Sequence, residues 1–347
     1  MSDREALQRW VDKYLATEQT GDGAPVKLEP ITGDAGFRQY FRVDSTPSTI
    51  AVYAPPSLEN NVAFVAIDLA LRHAGVRAPR ILAVDYEHGF MLQEDLGAKL
   101  YSGLLCCESP ELLLDTAVDT LLKIQQMPHD EAIFPPYSAE VLLKELELFP
   151  EWFVGGLLEQ RLSTDQRQLL RKCFAQLVDN ALEQPQVVVH RDFHSRNLLA
   201  LEDGDVGVID FQDAVIGPVS YDLVSLLRDR YVYWPEALIS RGLVDYLTRA
   251  RALGIVESGV SEQQFRRWFD LMGLQRHIKV LGIFARLWLR DGKRGYLELL
   301  PIMIRYTLEI ASSYQEYSDF FRWFETTLSQ PLQRRDWYRN WQTAGDL

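Results

Sequence analysis

Asp192, Asn197 and Asp210 are the side chains in this chain whose types and spacing suit chemistry. They lie in the stretch Val187 to Ile216, VVVHRDFHSRNLLALEDGDVGVIDFQDAVI. It reads as an apolar strand, a polar loop, a short hairpin through Asp203 and Gly204, and a second strand that delivers Asp210. Two carboxylates and an amide brought to one mouth fit phosphoryl transfer with magnesium. A hydroxyl nucleophile needs an acceptor for its proton, which Asp192 supplies, and the Mg2+ carried by ATP takes hard oxygen ligands, which Asn197 and Asp210 supply. Singly, Asp192 also reads as a turn former and Asp210 as a strand-end cap, but neither reading accounts for the pair.

The elements that must position these groups follow from period and punctuation. Leu7, Trp10, Val11, Tyr14 and Leu15 recur at helical spacing behind Ser2 as a cap. From Val26 the period becomes strand-like, broken by Thr32 to Arg38 and resumed in Gln39 to Asp44. Gly33, Asp34 and Gly36, with Arg38 after them, form either a flap whose backbone N–H groups meet nucleotide phosphates or a plain hairpin. A strand over Ile50 to Ala54, a helix over Asn60 to Gly75, and strands over Arg80 to Asp85 and Phe90 to Glu94 come next. Beyond Gly97 helices are expected over Glu111 to Gln126, Ser138 to Phe153 and Thr164 to Leu182, with breaks at Pro128, Pro135 and Pro136. The fold class is therefore α+β, a small β-rich lobe over residues 1–96 and a larger helical lobe over 97–347, with the ligand expected in the cleft between them.

His190, Asp192, His194 and Asn197, followed by Ile209, Asp210 and Phe211, make the arrangement His-x-Asp-x-His-x-x-Asn and Ile-Asp-Phe. It resembles the catalytic core of kinases related to aminoglycoside phosphotransferases and choline kinases. The resemblance implies a bilobal protein-kinase-like fold, ATP as co-substrate with Mg2+, and His190 and His194 as braces of the loop rather than zinc ligands. It also implies that backbone groups around Gln93, Glu94 and Leu96, in the run MLQEDLG, meet the adenine edge, and that Asp222 helps hold the loop. As residue chemistry alone, Asp222 is equally a good acid at a helix N-terminus. The pattern is broken at one point: no lysine occurs between Leu28 and Ala98, where such kinases carry one to the phosphates. Arg38 and Arg42 are the substitutes at hand, or else surface arginines, and Glu59 is a partner for one of them.

The blocks YAPP, IDFQDAVIGPVSYDLVSLLRD and LMGLQRHIKVLGIFARLWLRDGKRGYLELLP narrow the resemblance to bacterial anomeric amino-sugar kinases of cell-wall recycling. That implies ATP-dependent phosphorylation of the C1 hydroxyl of N-acetylmuramate and N-acetylglucosamine to the α-1-phosphate. Asp213, Arg228, Arg276 and His277 are the candidate acceptor residues. Arg276, His277 and Lys279 would face the lactyl carboxylate or be a solvated helix face, and Tyr231, Tyr233, Trp234 and Trp288 would pack on the sugar or in the core. A kinase of another small hydroxyl acceptor, aminoglycoside or choline-like, and a nucleotide-binding pseudokinase stay open as alternatives.

Composition excludes other classes. A net charge of −13 over 347 residues argues against nucleic acid, whose phosphates need clustered cations. Three cysteines, two of them adjacent at Cys106 and Cys107, predict no disulfide framework. The N-terminus lacks a signal peptide's apolar core, and no apolar run approaches the ~20 residues of a membrane span. The expectation is a cytoplasmic protein without membrane partners; nothing in the sequence specifies an oligomeric state.

Overall fold

The computed structural model describes residues 3–18, 26–31, 36–104 and 109–345. They fall into two compact units, residues 1–107 with 196–214, and 108–195 with 215–347. A single cut after residue 96 does not describe this division, because the hairpin that follows the central loop folds with the first unit.

In the first unit, α1 (Asp3–Glu18) and α2 (Asn61–His73) accompany an antiparallel sheet. Its strands are β1 (Leu28–Ile31), β2 (Gln39–Val43), β3 (Thr49–Tyr53), β4 (Ile81–Asp85) and β5 (Phe90–Glu94), in the order β1-β2-β3-β5-β4. The helical spacing of Leu7 and Val11 sets both on one face of α1, where they join Leu28, Phe41, Val43, Ala51, Phe90 and Leu92 in a common core. Asn60 caps α2 by accepting the Ala63 N–H at 3.0 Å. A short helix, α3 (Tyr101–Leu104), follows the sheet.

The hairpin of β7 (Leu198–Ala200) and β8 (Val206–Val208) is pinned to the same unit by backbone bonds. Val208 N–H donates to Arg77 O and Ala200 N–H to Lys99 O, each at 2.9 Å. Gly207 is required by packing, since a Cβ there would meet Leu96, Leu201 and Leu199 at 3.1 to 3.3 Å.

The second unit is mainly helical: α4 (Pro110–Gln125), α5 (Ala139–Leu146), α6 (Thr164–Leu182), α7 (Tyr221–Leu227), α8 (Glu236–Ala252), α9 (Glu262–Asp291), α10 (Leu300–Ser313) and α11 (Ser318–Gln333). One antiparallel pair, β6 (Gln186–Val189) with β9 (Val215–Pro218), lies among them. The helix expected over Ser138 to Phe153 is divided: α5 ends at Leu146 and a π-helical segment, Phe149–Leu157, takes over. Pro150, which has no N–H to donate, falls in its first turn. The 30-residue α9 is buried on every side through its middle, as in a helix that forms the centre of a unit rather than its surface. Gly282 lets it approach the chain before that π-helical segment, where a Cβ would lie 2.5 Å from the Leu148 carbonyl carbon. Among the described residues no helix is long and apolar enough to cross a membrane.

Candidate active site

The hairpin of the first unit brings Asn197 and Asp210 together. Ile209 N–H donates to Asn197 O at 3.1 Å, which extends the β7–β8 ladder by one step and sets Asn197 opposite the residue before Asp210. Asp210 then turns out of the strand with φ of +66°, a left-handed conformation disfavoured for a residue with a Cβ and stored here at a chemical position. Asn197 Nδ2 donates to Asp210 Oδ2 at 3.3 Å, and Gln212 Nε2 donates to Asp210 Oδ1 at 2.7 Å. The Asn197 amide nitrogen thus faces the Asp210 carboxylate. Among the described residues no group of three or more His, Cys, Asp or Glu side chains could hold a metal. A Mg2+ that arrives on nucleotide phosphates needs only one or two protein oxygens, so Asn197 and Asp210 fit it by number and by hardness.

Arg38 belongs to the same neighbourhood. It pairs with Glu59 at 3.1 Å, and its guanidinium lies 4.6 Å above the Phe64 ring. Phe64 stacks on Phe211, the residue after Asp210, with centroids 4.9 Å apart. The Tyr40 hydroxyl is pushed above its ordinary range by burial, with Arg38 opposing and Asp210 and Glu59 adding to the shift. Arg42 is committed elsewhere, bonded to Asp95 at 2.7 and 3.2 Å. Of the two arginines, Arg38 is therefore the one placed, through Phe64 and Phe211, near Asp210. Gly36 precedes it; Gly33 and Asp34 lie outside the described residues.

Gln93 sits in β5, which has a strand on each side, so its backbone is committed to the sheet and is not open to an adenine edge. Glu94 N–H likewise donates to Arg80 O at 2.8 Å. The Gln93 backbone and the Glu94 N–H, expected with Leu96 to meet an adenine edge, thus bond within the protein; Leu96, beyond the strand end, packs toward Gly207. Asp213 is exposed and folds with this first unit rather than with the other acceptor candidates.

The loop carrying Asp192 is built in the second unit. The Asp222 carboxylate, fully buried at the start of α7, accepts the N–H of His190 at 2.6 Å and of Arg191 at 2.9 Å. Burial pushes its acid up to about 6 against the pull of His190 and those two N–H groups. Arg191 takes φ of +74° and is fixed by Glu145, whose other oxygen meets Lys279 Nζ at 3.0 Å. His190 Nδ1 accepts the Asp192 N–H at 3.3 Å, and Asp229 accepts the Ser195 N–H at 3.0 Å. His190 and His194 are both buried within the loop, at 1 % exposure.

Asp192 itself keeps 37 % of its side chain exposed. Burial works against its charge, yet Arg230, 3.9 Å away, with Arg276 and Lys279, holds the carboxyl well below the usual carboxylate range. Burial, reinforced by Arg230, pushes His194 well below its ordinary value, so it is neutral near pH 7 and the cations alone carry that effect. Because a guanidinium only donates, the Arg230 contact makes His194 Nε2 an acceptor.

The remaining acceptor candidates separate. Arg228 is tied to the buried Asp270 at 2.5 Å, and Asp270 also takes Arg266 and the Tyr314 hydroxyl. His277 stacks on Tyr306 at 4.9 Å and is held neutral, first by burial and then by Arg228 and Arg276. Tyr233 stacks on Tyr306 beneath Arg305, so it serves packing rather than a sugar face. Arg276 and Lys279 are buried rather than solvated. Arg230 and Glu145 were not expected as site residues. Arg230 carries a faint signal, the charged run Arg228, Asp229, Arg230 directly after an apolar helix; Glu145, 46 residues before Arg191, carries none.

A small antiparallel sheet unit, a helical unit, a braced aspartate and an adjoining Asn–Asp pair define a bilobal α+β fold of the kinase class. The fold matches a solved choline kinase from Streptococcus pneumoniae (TM-score 0.60, 13 % identity, covering 89 % of this chain and all of that one). It also matches an ADP-bound aminoglycoside phosphotransferase (TM-score 0.58, 12 % identity, covering 86 % and 97 %). Residues 27–255 match the phosphotransferase enzyme family, and the chain belongs to it. An N-acetylmuramate/N-acetylglucosamine kinase of Pseudomonas putida is 40 % identical over 320 residues, 91 % of this chain and 94 % of the relative.

Proposed function

We propose that this chain transfers the γ-phosphoryl group of ATP to the anomeric hydroxyl of N-acetylmuramate and N-acetylglucosamine, giving the α-1-phosphate for re-use of cell-wall sugars. The observation that carries the reading is the 40 % identity, across nine-tenths of the chain, to a relative of that named activity. Asp192 is the proton acceptor: the C1 oxygen attacks the γ-phosphorus, the bond to the β-phosphate bridging oxygen breaks, ADP leaves, and the hydroxyl proton passes to the carboxylate. An Asp192 that stays ionised supports the role, since positioning and charge do most of the work in phosphoryl transfer. Asn197 and Asp210 hold the Mg2+ of the nucleotide complex. That ion neutralises charge on the phosphate oxygens. Arg38 takes the phosphate-binding part usually played by lysine.

The test is ADP release by the purified chain with Mg-ATP and each of N-acetylmuramate, N-acetylglucosamine, kanamycin and choline, with phosphorus NMR of the product. An α-anomeric phosphate from the two sugars is the expected result. Turnover with kanamycin or choline alone overturns it, and silence with all four favours a nucleotide-binding regulator.

A further inference from the structure

Resting on the amino-sugar kinase reading, we propose that Arg276 is the residue that reads the acceptor's carboxylate, and so sets the preference for N-acetylmuramate over N-acetylglucosamine. The two sugars differ by a lactyl ether that ends in a carboxylate. In a chain of net charge −13 the long-range field repels such an anion, so its recognition has to come from a local excess of positive charge.

The second unit has that excess beside Asp192, and most of it is already used. Lys279 gives its protons to Glu145, the Tyr137 hydroxyl and the Tyr221 hydroxyl, at 3.0, 3.3 and 3.1 Å. Arg191 is held by the same Glu145, and Arg228 by Asp270. His277 is neutral and stacked. Arg276 differs. It is 2 % exposed, its guanidinium lies 5.9 Å from the centre of the Tyr221 ring, and both Nε and Nη1 are buried without a hydrogen-bond partner. Arg230 Nε is buried in the same condition. A buried guanidinium with unmet donors is costly, and a ligand anion is what would satisfy it. The Tyr221 ring beside Arg276 adjoins Asp222, whose carboxylate holds the His190 and Arg191 N–H groups of the loop that carries Asp192, so an anion on Arg276 belongs to the molecule whose hydroxyl meets Asp192.

The test is a cycle of kcat/KM with Mg-ATP. It compares N-acetylmuramate with its lactyl carboxamide and with N-acetylglucosamine, using the full chain as wild type, Arg276→Gln and Arg276→Lys. The wild type should favour the acid over the carboxamide by ten-fold or more, chiefly in KM. Arg276→Gln should compress that ratio below three-fold, and Arg276→Lys should keep part of it. A wild type indifferent to acid or amide overturns the inference without any variant. So does an Arg276→Gln variant that loses equally on acid, amide and N-acetylglucosamine, because the arginine then serves the phosphoryl group or the loop. A wild type that phosphorylates none of the sugars overturns the kinase reading itself, a result distinct from turnover without discrimination.

Discussion

The Asp222 carboxylate and the His190 backbone N–H meet at 2.6 Å, and through this bond the start of α7 fixes the loop that carries Asp192. Asp222 is fully buried and also holds the left-handed Arg191. Asp222→Ala leaves both N–H groups without an acceptor. The expected result is a loss of about 2–4 kcal/mol in urea unfolding, with kcat falling further than KM changes. Asp222→Asn, which keeps one acceptor oxygen, should recover part of both. An Asp222→Ala protein that unfolds like the wild type removes Asp222 from this role.

Asp192→Asn keeps the shape of the site and removes the proton acceptor. Turnover should drop by roughly 10²–10⁴-fold while nucleotide affinity, read by titration calorimetry, changes little. The cations around Asp192 lower its pKa, so its charge is kept as the pH falls and is lost only in strong acid. Activity measured from pH 8 down to pH 6 should therefore show no acid limb due to Asp192.

The Asn197–Asp210 pair predicts a graded magnesium dependence. Asp210→Ala should abolish turnover at every Mg2+ concentration that leaves the protein soluble. Asn197→Ala, which removes one neutral oxygen, should retain activity but move the half-maximal Mg2+ concentration upward by about ten-fold. Identical Mg2+ titrations for the wild type and Asn197→Ala would take Asn197 out of the metal's coordination.

Arg38 is expected to act on nucleotide rather than sugar. Arg38→Met should raise KM for ATP by roughly 10–100-fold while KM for the sugar stays within about two-fold, since a charged hydrogen bond to phosphate is lost. Glu59→Gln, which frees the guanidinium from its partner at 3.1 Å, should give a smaller change in the same parameter. A rise confined to the sugar's KM would assign Arg38 to the acceptor.

Asp68 sits on α2 with no exposure, and neither oxygen has a hydrogen-bond partner. Burial pushes its acid up to about 7, with Glu94 adding to the shift and Arg72 opposing it, from an ordinary 3.8. Between those values the folded chain holds a proton that the unfolded chain has released, so this residue's contribution to stability falls as the pH rises through the window. Asp68→Asn should therefore raise the melting temperature at pH 8, by the equivalent of about 1–3 kcal/mol, and by much less at pH 5. Equal shifts at the two pH values would show that Asp68 titrates normally.

The central hairpin was legible because each of its signals is local: apolar alternation on either side, Asp203 and Gly204 at the turn, and acids at fixed offsets from the strand ends. The extended helix over Ser138 to Phe153 was misjudged at its end because apolar spacing does not distinguish α from π winding, and Pro150 with Gly155 and Gly156 only weakens the α pattern. Gln93 was misread for a different reason. A sequence run shows that a strand ends near Glu94 but not that strands flank it on both sides, which is what commits its backbone to the sheet.

The sequence by itself determined the reaction class, since Asp192, Asn197 and Asp210 with their histidines occupy a few tens of residues and short-range order is written in side-chain period and turn chemistry. Tertiary structure alone decided which cations are spent and which remain. Lys279 and Arg191 converge on Glu145 from distant parts of the chain, and Arg228 reaches across to Asp270. Arg276, on the same helix as Asp270, is buried with donors unmet. Charge neutralisation depends on separation in space, falling with distance and rising with burial, and no spacing along the chain encodes it.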